Sequence, residues 1–148
     1  MTDADYMRLA LAEARAAADA GEVPIGAIVV AGDRIIGRGG NRTISLCDPT
    51  AHAEIVAIRA AAQAIGNYRF PTSTIFITLE PCAMCAGAIV QARIARLVYG
   101  CDDPKGGAAR SCFSVFDHRA LNHRVEVSPG VLAEECAGAL QSFFAARR

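Results

Sequence analysis

Apolar residues recur along the chain with two different periods, and these periods predict alternating helices and strands. Apolar side chains at helical spacing predict a first helix that ends at about Ala20, with Thr2 and Asp5 as a capping box at its start. Residues 23–31 are continuously apolar and rich in isoleucine and valine, which predicts a buried strand. A turn at 32–33 then predicts a hairpin with residues 34–39.

The second half of the chain continues this alternation. We predict a helix over 51–65 that ends at Gly66, a strand over 74–79, and a helix over 81–92 with Pro81 in its first turn. Three further predicted elements are strands at 97–99 and 124–127 and a terminal helix over 131–146. The pattern predicts an α/β protein, a three-layer α/β/α sandwich with a five-stranded mixed sheet, as a single domain over residues 1–148.

Composition narrows the functional classes only slightly. The chain has 148 residues, is 53% hydrophobic, and carries 15 basic and 15 acidic residues. Bulk charge therefore favours neither nucleic acid nor membrane as a partner. Residues 1–5 are polar and acidic, which argues against a secretory signal, and the apolar runs are too short to span a bilayer. We expect a cytoplasmic protein with no membrane partner.

Six cysteines are present, and only Cys82 and Cys85 form a close pair. In a reducing compartment, closely spaced cysteines favour metal binding over disulfides. The remaining four are interpreted as small apolar residues: Cys47, Cys101, Cys112 and Cys136.

Two short motifs carry candidate chemistry, His52-Ala53-Glu54 and the Pro-Cys-x-x-Cys stretch that ends at Cys85. Catalytic zinc takes three protein ligands and leaves a position for water, so His52, Cys82 and Cys85 suit a Zn²⁺ site. Residues two apart in a helix point to nearly opposite sides, so His52 shares a pocket with Glu54 only if it lies at the helix start. Glu54 is then the candidate proton shuttle.

His-x-Glu combined with Pro-Cys-x-x-Cys is the signature of zinc deaminases that act on cytosine or adenine. A Cys-x-x-Cys alone also occurs in redox pairs and in structural zinc sites. The sequence holds no second Cys-x-x-Cys for a structural site, and the pair does not follow a first strand as in a thioredoxin-like unit. Glu54 argues for catalysis, because a structural site needs no proton shuttle.

The stretches around these motifs resemble the bacterial tRNA-specific adenosine deaminases, a branch of the cytidine-deaminase superfamily. The resemblance runs from about residue 6 to the end of the chain. The stretches that carry it are 22–27, 40–42, 48–54, 67–69, 78–82, 103–108, 122–124 and 143–144. It implies a homodimer with one zinc ion per subunit that converts the wobble adenosine of a tRNA anticodon, expected to be that of arginine tRNA, to inosine.

The resemblance also implies roles for individual residues. Glu54 would move protons, and Asn41 would hydrogen-bond the flipped nucleotide, whose pocket Val23, Ala53 and Leu79 would wall. The remaining implied RNA contacts are Lys105, in the 103–108 loop, and His123, Arg124, Phe143 and Phe144. The chain departs from many members at Gly40, where they carry an aromatic residue, and in its short basic tail, Arg147-Arg148.

Two other functions stay open from the sequence. A deaminase of free guanine, cytosine or nucleosides would share the zinc motifs. A non-catalytic RNA-binding or scaffolding protein with structural zinc would share the cysteines but have no use for Glu54.

Overall fold

The computed structural model describes residues 1–147, and Arg148 of the basic tail lies outside them. The elements follow the predicted order. They are α1 (Asp3–Asp19), β1 (Gly26–Ala31), β2 (Arg34–Gly40), α2 (Ala53–Ile65), β3 (Ser73–Leu79), α3 (Ala83–Gln91), β4 (Arg96–Cys101), β5 (Glu126–Ser128) and α4 (Ala133–Ala145). None of these helices combines the length and hydrophobicity that a membrane crossing needs within the described part of the chain.

The five strands form one mixed sheet in the order β2-β1-β3-β4-β5. β1 pairs antiparallel with β2 and β3, whereas β3, β4 and β5 run parallel. Leu79 pairs with Cys101, so β3 and β4 end side by side. The segments that follow these two strands therefore leave the sheet at the same edge.

Helices cover both faces of the sheet, which confirms the predicted three-layer α/β/α architecture. On one face, α2 and α3 pack against side chains such as Ile75 and Ile77. On the other face, α1 and α4 enclose Phe76, whose ring lies 5.0 Å from that of Tyr6. Successive residues of β3 thus point to opposite cores, which explains why the strand sequence is apolar throughout.

The N-terminal cap of α1 and the C-terminal cap of α2 follow the sequence rules. Thr2 and Asp5 form the predicted capping box, with each side chain accepting a hydrogen bond from the other residue's backbone N–H. Gly66 ends α2 in the left-handed conformation at φ 67°, where a residue without a Cβ is favoured. α2 begins at Ala53, two residues later than predicted.

Two predicted starts are wrong, one because of a turn just before the strand and the other because of a contact with a distant loop. The first strand begins at Gly26 because residues 23–25 form a tight turn in which the Ile25 N–H donates to the Val23 carbonyl at 2.8 Å. Pro81 does not begin α3. Its carbonyl accepts the Ala108 N–H at 2.8 Å, and the helix begins at Ala83.

The bounds of the last strand and the last helix also differ from the prediction. The last strand is Glu126–Ser128 instead of 124–127, because its register follows Arg96–Val98 of β4. α4 begins at Ala133 instead of residue 131, since Leu132 adopts a left-handed conformation just before it.

Candidate metal centre and active site

The starts of α2 and α3 bring His52 and Cys82 together. Both residues occupy N-cap positions with extended backbones, and neither side chain makes the hydrogen bond that an N-cap residue normally makes to its own helix. Their side chains are free to face one another, and Cys85 joins them from the first turn of α3. His52 thus lies at the helix start, where the sequence requires it to be.

The three side chains form a compact donor cluster. The His52 Nδ1 lies 3.4 Å from the Cys85 sulfur and 3.7 Å from the Cys82 sulfur. Their candidate ligand atoms all lie within 4.8 Å of one another. One nitrogen and two sulfurs suit a metal ion of the zinc type, and three protein ligands leave a fourth position for a reactant. The cluster could therefore hold a metal ion.

Hydrogen bonding within the cluster stabilises a thiolate. Hydrogen bonds from Cys85 and His52 lower the pKa of the Cys82 thiol to about 3. The same bond to Cys82, together with burial, raises the pKa of the Cys85 thiol. The hydrogen bond to Cys82 also raises the pKa of His52. Thiolate is the form of cysteine that binds metal, so Cys82 is the member of the cluster that is already in its ligand form.

Glu54 lies beside the cluster and away from water. It is the second residue of α2, and its side chain is only 4% exposed. Burial raises the pKa of its carboxyl. Glu54 lines a cavity of about 130 Å³, which we call the inner cavity, with His52 and Cys82. The other lining residues are Ile25, Leu79, Glu80 and Asp103.

The inner cavity adjoins a larger outer groove of about 560 Å³. Ile25, Leu79 and Asp103 line both spaces, so the two share a wall. The outer groove is also lined by residues of the loop after β4 and of α4. Its further lining residues are Val23, Cys101, Asp102, Pro104, Lys105, Ala137, Leu140, Gln141 and Phe144.

The structure brings some of the predicted substrate-binding residues together. Val23, Leu79, Lys105 and Phe144 line the outer groove, and Phe144 is 49% exposed there. Ala53 is fully buried between His52 and Glu54.

Other predicted residues lie elsewhere in this chain. Asn41 is buried and lines a separate cavity beside α1, with Glu22 and Arg42. His123 contacts the Ile94 carbonyl at 2.7 Å, just before β4 begins. The Arg124 guanidinium donates to carbonyls of the same loop. His123 and Arg124 therefore lie near the sheet edge opposite the metal cluster.

The structure corrects the interpretation of two cysteines. All six cysteines are free, and Cys101 and Cys136 are buried as expected of small apolar residues. Cys47 and Cys112 are exposed. They lie in loops, where no apolar period predicts burial or exposure.

No motif in the sequence marks Glu80 or the backbone at Gly107 as functional. Glu80 is 2% exposed and lines the inner cavity, and a Cβ on Gly107 would lie 2.3 Å from its carboxylate. Burial would raise the pKa of Glu80, but hydrogen bonds from the 103–111 loop lower it to about 2. A carboxylate at the end of an apolar strand is itself a signal, because a buried charge requires partners.

The fold and the site together define a class. The chain has helices on both faces of a mixed sheet, a histidine and two cysteines at two converging helix starts, and a buried glutamate next to them. Together these features characterise the metal-dependent nucleobase deaminases.

Comparisons with known proteins agree with this class. The MafB19-like deaminase family model matches residues 1–148. A tRNA-specific adenosine deaminase of Haemophilus influenzae is 53% identical over 147 residues, which are 99% of this chain and 85% of that protein. The chain belongs to the family of tRNA-specific adenosine deaminases.

Two solved structures extend the comparison. One, from a study of A-to-I editing at the wobble position of transfer RNA, has 50% identity and a TM-score of 0.89, covering 92% of this chain and 99% of that one. A guanine deaminase of Bacillus subtilis has 32% identity and a TM-score of 0.69, covering 99% of this chain and 94% of that one.

Proposed function

We propose that this protein converts the wobble adenosine of a tRNA anticodon loop to inosine by hydrolytic deamination. One observation carries the proposal: Glu54 and the donor residues His52 and Cys82 line one small cavity, and that cavity adjoins a larger groove. Family membership supports RNA as the substrate.

His52, Cys82 and Cys85 are the proposed ligands of one Zn²⁺ ion. Zinc held by such ligands activates water as a nucleophile at neutral pH. Glu54 accepts a proton from the attacking water and delivers it to the purine ring nitrogen. It then carries the remaining proton of the added hydroxyl group to the leaving amine. Water adds to the ring and ammonia leaves, so the reaction needs no other reactant. The burial of Glu54 keeps bulk water from competing for these protons.

The outer groove suits an RNA loop whose target base enters the inner cavity. Splaying out a base costs little in a loop that is already single-stranded. We infer that Val23 and Leu79 form walls around that base. The resemblance of the sequence alone supports the further inference that Ala53 walls the same pocket and that Asn41, which lines the separate cavity beside α1, hydrogen-bonds the nucleotide. Exposed Lys105 at the rim would contact phosphate, and exposed Phe144 offers a face for stacking.

We also infer an arginine tRNA as the substrate, a cytoplasmic location, and a homodimer in which His123 and Arg124 reach RNA bound at the partner's groove. The resemblance of the sequence supports these inferences. Apolar Ile55 and Ile58 lie on the outer surface between α2 and α3, next to 72% exposed Tyr68, which supports a subunit contact there. All five strands belong to one sheet, which supports the proposal of a single domain over residues 1–148.

A deaminase of free guanine is the second candidate, favoured by the likeness to the Bacillus subtilis guanine deaminase. A small base would fit the inner cavity alone. The adjoining outer groove favours a larger substrate, because a free base leaves that space without a role.

The deciding experiment is a deamination assay on an arginine-tRNA anticodon stem-loop, run beside free adenosine, guanine and cytosine. Inosine at the wobble position alone is the expected product. Glu54→Ala is the control, and we expect it to keep zinc and lose activity by at least about a hundredfold. Deamination of a free base, with the stem-loop left unmodified, would favour the second candidate. Bound zinc without turnover of any substrate would indicate a non-catalytic RNA-binding protein.

A further inference from the structure

Glu80 is a buried carboxylate that is surrounded by donors from one loop. Its Oε1 accepts the Asp103 N–H at 3.0 Å, and its Oε2 accepts the N–H groups of Ala109, Arg110 and Ser111 at 3.0, 2.8 and 2.9 Å. The Ser111 hydroxyl also donates to Oε1. Both carboxylate oxygens are thus occupied by donors, which leaves Glu80 without a free oxygen for the substrate.

The loop of residues 102–111 is built around this carboxylate. Gly107 lies so close to it that an added Cβ would be 2.3 Å from Oε1 and 2.5 Å from Oε2. On the outer side of the loop, the Arg110 guanidinium donates two hydrogen bonds to Asp102, each 3.0 Å long. On its inner side the loop is therefore held by Glu80 through backbone N–H groups. On its outer side it is held by the ion pair between the Arg110 and Asp102 side chains.

The same loop forms one wall of the outer groove. Asp103, Pro104 and Lys105 line that groove, and Asp103 also lines the inner cavity beside Glu54. Glu80 itself lies between Leu79, which lines both spaces, and Pro81-Cys82. The Glu80 side chain, together with the Pro81 carbonyl that accepts the Ala108 N–H, thus joins the segment that carries a donor of the metal cluster to the loop that walls the groove.

We propose that Glu80 is a positioning residue for the RNA substrate, because it holds the 103–111 loop in the conformation that binds the anticodon. This inference rests on the proposed function. It distinguishes Glu80 from Glu54, which moves protons, and from the three proposed metal ligands. Removing the Glu80 charge should weaken RNA binding more than it slows the reaction of bound substrate.

The test compares Glu80→Gln with Asp3→Asn. Asp3 is the control because its carboxylate accepts two hydrogen bonds from the Arg96 guanidinium, at 3.0 and 2.6 Å, near the start of β4 and away from the outer groove. We expect Glu80→Gln to raise KM for the stem-loop about tenfold, since an amide NH₂ would face N–H donors, while kcat per bound zinc changes less than about threefold. We expect Asp3→Asn to leave KM unchanged. Amide hydrogen exchange at residues 109–111 should quicken only in Glu80→Gln.

Gly107→Ala tests the same contact from the loop and decides the question if Glu80→Gln does not fold. The added methyl should displace the loop and raise KM. Adding Glu80→Asp to the Gly107→Ala protein should lower KM part of the way back, because the shorter side chain leaves room for the methyl group. An unchanged KM in both single variants, or additive losses in the double variant, would overturn the inference. A lack of turnover by the unaltered protein would instead overturn the proposed function.

Discussion

At the scale of single residues, the donor positions lack the side-chain cap that stabilises the start of α1. Thr2 caps α1 with its side chain, whereas His52 and Cys82 hold the N-cap positions of α2 and α3 and cap neither. The His52 and Cys82 side chains contribute no capping free energy to their helices, because they face the donor cluster instead. Local rules fail most often at functional positions for this reason.

The donor residues could be predicted from sequence because their spacing is local. Cys82 and Cys85 lie on one helical turn, and the position of His52 follows from the presence of Glu54 two residues later. The partners of Glu80 could not be predicted in this way. They lie 23 to 31 residues further along the chain, and four of the five bonds use backbone N–H groups that no residue type reveals.

The first residue-scale prediction concerns Cys85, which is buried in the donor cluster. Cys85→Ala should lose zinc and become less stable. With free zinc a thousandfold above Kd, binding stabilises a protein by about 4 kcal/mol. For a chain of this length, that loss corresponds to roughly 10 °C in Tm. Metal analysis and thermal unfolding measure the two effects.

Cys47→Ala is the control for this prediction, because Cys47 is exposed and lies in the loop before α2. It should keep both zinc and Tm. Full zinc occupancy in Cys85→Ala would contradict the ligand assignment.

At the scale of elements, sequence periodicity identifies each helix and strand but not where each begins. The chain between elements decides the boundaries through contacts that are distant in sequence. Pro81 stays outside α3 because a loop N–H from Ala108 occupies its carbonyl. β5 begins two residues later than predicted because β4 fixes its register. The order and layers of the fold survive these shifts because the alternation of apolar elements does not depend on them.

The packing of α1 on β1 gives an element-scale prediction. A Cβ on Gly26 would lie 1.9 Å from the Ala10 carbonyl oxygen and 2.6 Å from the Ala14 nitrogen. Gly26→Ala must therefore separate the helix from the strand, and we expect a loss of about 3 kcal/mol in the free energy of unfolding. Urea unfolding monitored by circular dichroism measures it.

Gly138→Ala is the opposite case, since Gly138 lies inside α4 and an added Cβ would meet nothing within 4 Å. It should gain about 0.5–1 kcal/mol from helix propensity. Equal effects of the two substitutions would contradict the close approach of α1 to β1.

At the scale of the whole molecule, a chain with balanced charge must bind RNA through local charges. The 15 basic and 15 acidic residues cancel. The outer groove brings Lys105 near the site but also carries Asp102 and Asp103. Because few phosphate contacts then contribute, the affinity for RNA should fall only slowly as the salt concentration rises.

Lys105 supplies a whole-molecule prediction about that salt dependence. Lys105→Ala should weaken stem-loop binding at low salt and reduce the slope of log Kd against log salt by about 0.7, the contribution of one phosphate contact on a single strand. Binding titrations at several salt concentrations measure the slope.

Arg34→Ala is the matched control. Arg34 is exposed and pairs with Ala31, at the sheet edge where β3 begins, away from the groove. It should leave the slope unchanged. The same change in slope for both variants would mean that Lys105 does not contact phosphate.

The β1–β2 hairpin has a practical consequence for work with this protein. Its turn at residues 32–33 lies at the sheet edge opposite the metal cluster, and Gly32 has open space around it. Four Gly/Ser residues inserted there should cost less than about 1 kcal/mol and leave deamination within about twofold. The same insertion after Lys105 should abolish activity. The hairpin turn is therefore where the chain can be lengthened to carry a fluorophore, an affinity tag or a fused partner.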